Sequence, residues 1–146
     1  MQDVIEHEIS INAGLERVWD LVTEPGWWVP TDTGPARDRT PGSTTLRVSE
    51  KYGSFPVAVV EMKPRTYAAF RWASQFPNTD LEPTRSTLVE FFVSEAADGV
   101  LVKVRESGFA ALDAPEEIRQ AGVRDNTEGW RLELGDLKKR SEATAA

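Results

Sequence analysis

Glu106 and His7 are the two ionisable side chains that could do chemistry on faces this 146-residue sequence predicts to be buried. Residues 100 to 107 read as a strand. Because side chains alternate along a strand, Glu106 shares a face with Val102 and Val104. A carboxyl group among apolar residues either finds hydrogen-bond partners or titrates at raised pH, which makes it a candidate acid, base or hydrogen-bonding group. The alternative is that the strand frays near its end and Glu106 lies at the rim in water.

His7 is the only histidine, and the chain contains no cysteine. By the same alternation it points inward from a strand over residues 4 to 11. A nucleophile–histidine site would have to use His7, while thiolate chemistry, disulfides and metal sites with cysteine or two histidine ligands are excluded. A buried histidine with a backbone partner is the simpler interpretation. Carboxylates alone could hold magnesium or calcium, but no clustered aspartate motif occurs, and we predict neither a metal nor a cofactor.

A long C-terminal helix is the element that must position these groups. It is predicted over about residues 115 to 141, and its apolar stripe is Trp130, Leu134 and Leu137. A single amphipathic helix at the end of a strand-rich chain must bury its stripe on a sheet. If that sheet curls around the helix, the space between them becomes a cavity.

The preceding elements are predicted in the order strand, helix, short helical turn, and then a meander of antiparallel strands. The helix covers about residues 13 to 23, and the helical turn or loop contains Trp27 and Trp28. Gly53 and Ser54 predict a hairpin turn, and residues 31 to 43 a loop. The meander strands are predicted at 44–52, 55–62, 67–73, 84–94 and 100–107.

Several short segments in this order resemble the START/birch-pollen-allergen superfamily, often called SRPBCC. Within it, the sequence is most similar to the branch named after the activator of heat-shock-protein ATPase. The resemblance spans residues 4 to 140 as one domain, 1–146. It rests on the segments Ala13-Gly14-Leu15-Glu16-Arg17-Val18-Trp19-Asp20-Leu21, Trp28, Val59-Val60-Glu61-Met62-Lys63-Pro64-Arg65, Phe70-Arg71-Trp72, Glu106-Ser107-Gly108-Phe109 and Gly129-Trp130.

The resemblance implies an α+β helix-grip fold: a curved antiparallel β-sheet wrapped around a long C-terminal α-helix, with two short helices after strand 1. It also implies a hydrophobic ligand cavity, but no single activity. Aromatic residues at the matching positions either pack the core or line that cavity. The predicted ligand-binding residues are Trp28, Phe70, Trp72, Phe91, Glu106 and Trp130. Many relatives have a histidine in place of Glu106, so any role of that imidazole is in doubt here.

In the helix-grip fold the first and last strands are antiparallel neighbours. The start of the first strand then lies near the end of the last, which brings His7 within reach of Glu106. We therefore hypothesise a hydrogen-bonded His7–Glu106 pair at one end of the cavity.

The net charge of −7 argues against nucleic acid and anionic membranes as partners, since both require a basic surface. No apolar run reaches the length of about 18 residues that a membrane span needs. The N-terminus lacks a basic segment followed by an apolar one, so we expect no signal peptide and a cytoplasmic location.

Three functions fit these observations. The first is the binding of a small hydrophobic ligand of the lipid, sterol or polyketide/aromatic type. The second is a polyketide cyclase/aromatase-like enzyme in which Glu106 and His7 transfer protons. The third is a module that binds a chaperone partner through an exposed patch around residues 24 to 43, and a homodimer is left open beside it. Because an open cavity and a packed core use the same inward residues, the sequence does not separate them.

Overall fold

The computed structural model describes residues 1–31 and 34–143. The strands are β1 (Val4–Ile11), β2 (Thr44–Ser49), β3 (Gly53–Lys63), β4 (Tyr67–Trp72), β5 (Thr87–Ala96) and β6 (Gly99–Ser107). The helices are α1 (Leu15–Val22) and α2 (Glu116–Glu142), with single 3₁₀ turns at Pro83–Arg85 and Phe109–Ala111.

The six strands form one antiparallel sheet in the order β1-β6-β5-β4-β3-β2. The first and last strands are therefore neighbours, as predicted, with Val4 opposite Ser107. The register of β3 against β4 shifts between Val59 and Glu61, and such a bulge bends a strand and increases its twist. The sheet is curved and unclosed, with β1 and β2 at its edges.

Helix α2 lies against the concave face of this sheet. Its predicted stripe of Trp130, Leu134 and Leu137 is buried, each residue at most 3% exposed. These side chains join the inward residues of the sheet in one core cluster. The α+β helix-grip architecture is thus confirmed.

Helix α1 braces the C-terminal end of α2. The guanidinium of Arg17 donates from Nε to the carbonyl of Ser141 at 3.0 Å and from Nη2 to that of Arg140 at 2.8 Å. The last carbonyls of a helix have no partner within the helix, so these bonds satisfy two of them. The contact holds the far end of α2 in place relative to the first strand.

The second short helix expected after strand 1 does not form. Trp27 and Trp28 lie instead in consecutive turns, in which Trp27 donates to the carbonyl of Glu24 at 3.1 Å and Val29 to that of Gly26 at 2.9 Å. Gly26 has φ +75°, and a Cβ there would lie 2.5 Å from Cγ of Arg47. This left-handed, crowded position breaks the helical path and sends both tryptophans toward the sheet.

The predicted hairpin turn at Gly53 and Ser54 is also shifted. Gly53 pairs with Ser49 of β2, so Gly53 and Ser54 are the first two residues of β3, and residues 50 to 52 make the turn. Of the expected loop over residues 31 to 43, residues 32 and 33 lie outside the described part of the chain. Within the described residues, no helix is both long and apolar enough to cross a membrane.

Candidate functional site

The carboxylate of Glu106 is fully buried and accepts four hydrogen bonds from three other elements. Trp72 Nε1 and Thr87 Oγ1 donate to its Oε2 at 2.9 and 2.5 Å. Asn126 Nδ2 and Trp130 Nε1 donate to its Oε1 at 3.0 and 2.8 Å. The single side chain therefore joins β4, β5 and β6 to α2.

These four donors favour the ionised form of Glu106. The pKa of Glu106 is nevertheless raised above its ordinary value, because burial outweighs the four hydrogen bonds, that from Thr87 foremost, which lower it. An indole N–H and an amide NH₂ can only donate, and a carboxylate with two oxygens has about four positions to accept. The geometry thus compensates the buried charge with donors rather than with a cation.

A cavity of about 480 Å³ lies between α2 and the β3–β4 side of the sheet. Three of the donors to Glu106, namely Trp72, Asn126 and Trp130, line it. Three of the six predicted ligand-binding residues line it: Trp28, Trp72 and Trp130. Phe70, Phe91 and Glu106 do not; all three are fully buried behind the tryptophans. The remaining lining residues are Val29, Pro30, Tyr52, Phe55, Ser74, Gln75, Asp125, Asn126, Gly129, Leu132 and Glu133.

Close aromatic packing fills the interior beyond the cavity. The ring of Trp28 lies 5.5 Å from those of Phe70 and Trp130, 5.6 Å from Trp72 and 5.7 Å from Phe91, measured between centroids. Edge-to-face and tilted pairs at these distances are stabilising. The interior is thus part packed core and part cavity, with the tryptophans at the boundary.

Gly129 lies in the middle of the part of α2 that lines the cavity, and it contributes no side chain to this helical wall. It lines the cavity one position before Trp130, and a Cβ placed there would meet no atom within 4 Å. Glycine inside a helix destabilises it by about 1 kcal/mol relative to alanine. Since nothing crowds this position, packing does not require the glycine, and its consequence is open space.

Glu133 is one of two carboxyl groups that line the cavity, and it lies one turn beyond Gly129. Its pKa is raised to about 7, because burial and the nearby Asp136 raise it more than Arg140 lowers it. Across the adjoining surface depression stand Glu24 and Arg47. Among the hydrogen bonds and ion pairs between described residues, none involves Glu133.

The hypothesised His7–Glu106 hydrogen bond does not form. In the β1–β6 register, Ile5 lies opposite Glu106 and His7 opposite Val104. All four bonds that Glu106 accepts come from the residues given above. His7 Nε2 is buried without a partner among residues 1–31 and 34–143. No group of three or more His, Asp or Glu side chains in that part of the chain could hold a metal ion.

Sequence reasoning missed Asn126, Gly129 and Glu133 as features of the site. Together with Trp130 they recur at spacings of three, one and three, so they share one face of α2. Extending the apolar stripe toward the N-terminus of α2 would have reached Asn126 and Gly129, and Glu133 lies within the stripe, beside Leu134. Thr87, by contrast, reaches Glu106 only through strand pairing and carried no local signal.

Comparison with solved structures finds the same fold in several proteins. Aha1 from Colwellia psychrerythraea, solved as a dimer, superposes with a TM-score of 0.72 at 17% identity, over 99% of this chain and all of that one. Protein BH1534 from Bacillus halodurans gives 0.72 at 19% identity, over 97% and 98% of the two chains. DynU16, from the dynemicin biosynthetic locus, gives 0.70 at 22% identity; the alignment covers 95% of this chain but 47% of that protein.

The chain has the helix-grip fold of these proteins. The predicted resemblance to the branch of the heat-shock ATPase activator is thereby confirmed at the level of the fold. Neither a family model nor a curated protein matches the sequence.

Replacing Glu106 with Gln tests the charge state of this group. An amide NH₂ in place of either carboxylate oxygen would face an indole N–H, that of Trp72 or that of Trp130, so we expect a loss of about 2–4 kcal/mol in the free energy of unfolding. Urea denaturation measures it, with Glu95→Gln on the exposed part of β5 as the matched control. Equal stability of wild type and Glu106→Gln would mean that Glu106 is protonated in the folded protein.

Glu133 should make the folded state less stable as the pH rises. Its pKa lies above the ordinary 4.5, so the folded state binds the proton more tightly than the unfolded state. The resulting stabilisation is complete below pH 4.5 and is lost as the pH rises through about 7.

We expect Glu133→Gln to flatten this part of the stability profile by about 1 to 2 kcal/mol, a figure reduced for the partial exposure of the side chain. Urea denaturation of both proteins at about pH 5 and about pH 8 measures the difference. Parallel profiles would show that Glu133 titrates normally.

Proposed function

We propose that the chain binds a small hydrophobic molecule in the cavity between the sheet and α2. The lining combines five aromatic side chains with the backbone of Gly129; the five are Trp28, Tyr52, Phe55, Trp72 and Trp130. A concave, mostly apolar space of a few hundred Å³ with a few polar groups is typical of small-molecule sites. Each Å² of apolar ligand surface removed from water there contributes roughly 25 cal/mol before the entropic cost of binding.

The observation that carries the proposal is the glycine in the helical wall. A larger residue at position 129 would fill space that nothing else occupies and would strengthen the helix. Gly129 and Gly135 are the two glycines of α2 at which a Cβ would meet no atom within 4 Å, and of these two Gly129 lines the cavity. The missing side chain at position 129 therefore leaves room for a ligand.

The positions of the tryptophans support the same proposal. Trp72 and Trp130 are each fixed by a hydrogen bond to Glu106, so two walls of the cavity are held rigid without a ligand. A wall whose side chains are already ordered loses little conformational entropy when a ligand binds. Glu106 thus acts on the ligand through the rings that it positions.

The catalytic alternative receives no comparable support. A proton-transfer role needs a group that reaches the reacting atoms. The two candidates from the sequence, Glu106 and His7, are not among the described residues that line the cavity. Four expectations from the sequence stay predictions: a cyclase/aromatase-like activity, a chaperone partner, a homodimer and a cytoplasmic location.

Gly129→Leu should block the cavity while leaving the protein folded. We expect 1-naphthalenemethanol, a neutral bicyclic probe, to quench the fluorescence of the cavity tryptophans on binding. The leucine side chain should weaken this binding at least about tenfold, a change of about 1.4 kcal/mol.

Gly135→Leu is the matched control. Gly135 lies in the same helix, a Cβ there also meets nothing within 4 Å, and it is not among the residues that line the cavity. Its binding should stay within about twofold of wild type, about 0.4 kcal/mol. Equal binding by wild type and Gly129→Leu, or no binding by wild type, would overturn the proposed function.

A further inference from the structure

Glu133 differs from the other carboxyl group of the cavity in having no partner. Asp125, at the opposite end of the helical wall, lies with its Oδ1 3.7 Å from Nε of Arg124 and is largely exposed to water. Glu133 is partly buried and receives neither a hydrogen bond nor an ion pair from the described residues. A half-buried carboxylate without a hydrogen-bond donor is stabilised when a cation or an N–H group binds to it.

The charge of the cavity wall has one sign. Among the described residues that line it there are two carboxyl groups and no lysine or arginine. Arg47 and Arg140 line the adjoining depression, which Glu133 also borders together with Glu24 and Asp136, and Arg47 lies 3.8 Å from the carboxylate of Glu24. An anionic ligand in the cavity would therefore meet a carboxylate and no cation.

The aromatic side chains that line the cavity also favour a positively charged ligand. Indole rings carry negative charge on their faces and attract ammonium groups by about 0.5–2 kcal/mol. Trp28 and Trp130, with ring centroids 5.5 Å apart, line the same cavity as Glu133. A cation placed there would have an aromatic neighbour and a carboxylate.

We propose that the ligand of this cavity is a hydrophobic amine, a flat or ring-bearing apolar body with an ammonium group that pairs with Glu133. This inference rests on the proposed function, since it names the chemical class that the same cavity selects. The apolar body occupies the space beside Gly129, between Trp28, Trp72 and Trp130. The ammonium group lies one helical turn further along α2.

Three probes with one ring system and different charges test the selection. They are cationic 1-naphthylmethylamine, neutral 1-naphthalenemethanol and anionic 1-naphthoate. The binding of each is measured by quenching of tryptophan fluorescence at about pH 8, because Glu133 is mostly ionised at that pH. We expect the amine to bind at least about tenfold more tightly than the neutral probe, and the carboxylate most weakly.

Glu133→Gln should reduce the ratio of amine to neutral-probe affinity, both measured in the same variant, from at least about tenfold to about one. Glu128→Gln, which removes one negative charge from the same helix away from the cavity, is the matched control and should keep the advantage. A similar loss in Glu128→Gln would show a general charge effect and overturn the role of Glu133.

The outcomes separate this inference from the proposed function. Equal binding of all three probes, or tighter binding of 1-naphthoate, would overturn the selection of amines and leave the cavity as a binding site. If the wild-type protein then binds the neutral probe and Gly129→Leu does not, the cavity is confirmed as the binding site. Binding of none of the probes would overturn both.

Discussion

The structure depends on one buried carboxyl group that is held by hydrogen bonds and by no cation. Glu106 lies on β6, an interior strand beneath the long helix, where an unpaired charge would cost several kcal/mol. Two indoles, a hydroxyl and an amide supply the compensation, and each comes from a position that the fold must hold within hydrogen-bonding distance. The same bonds that make the charge tolerable therefore fix the spacing between α2 and the sheet. They also fix the orientation of two of the cavity's tryptophans.

The cavity and the packed core are two outcomes of one arrangement. On the side of Phe70 and Phe91 the aromatic rings contact one another closely and no space remains. Around Gly129, which adds no side chain to the wall, the rings of Trp28, Trp72 and Trp130 border empty volume instead. Both regions lie between the same sheet and the same helix, so the topology is common to them. For this reason the fold alone, which this chain shares with proteins of low identity, does not determine whether a member has a ligand site.

The sequence predicted the fold well and the site in part, for physical reasons that differ. Alternation along the strands and the stripe through Trp130 are local patterns, and they located the sheet, the helix and the buried side of Glu106. That Thr87 and Asn126 contact Glu106 was not predictable, because sheet register and helix placement, which are long-range properties, bring these side chains together. The His7–Glu106 pair failed for the same reason: neighbouring strands were predicted correctly, but the register places Ile5 opposite the carboxylate. The second helix failed because Gly26, crowded by Arg47, forces a turn that no local periodicity reveals.

Hydrogen exchange of the indole N–H groups measures the central claim directly. Proton–nitrogen NMR spectra, assigned by single Trp→Phe substitutions, resolve the signals of Trp72 and Trp130. If Glu106 holds both rings in place, their N–H groups should exchange with solvent only through global unfolding, at rates set by the full free energy of unfolding. Exchange of either group at the rate of a solvent-exposed indole, in a protein that is otherwise folded, would contradict the account.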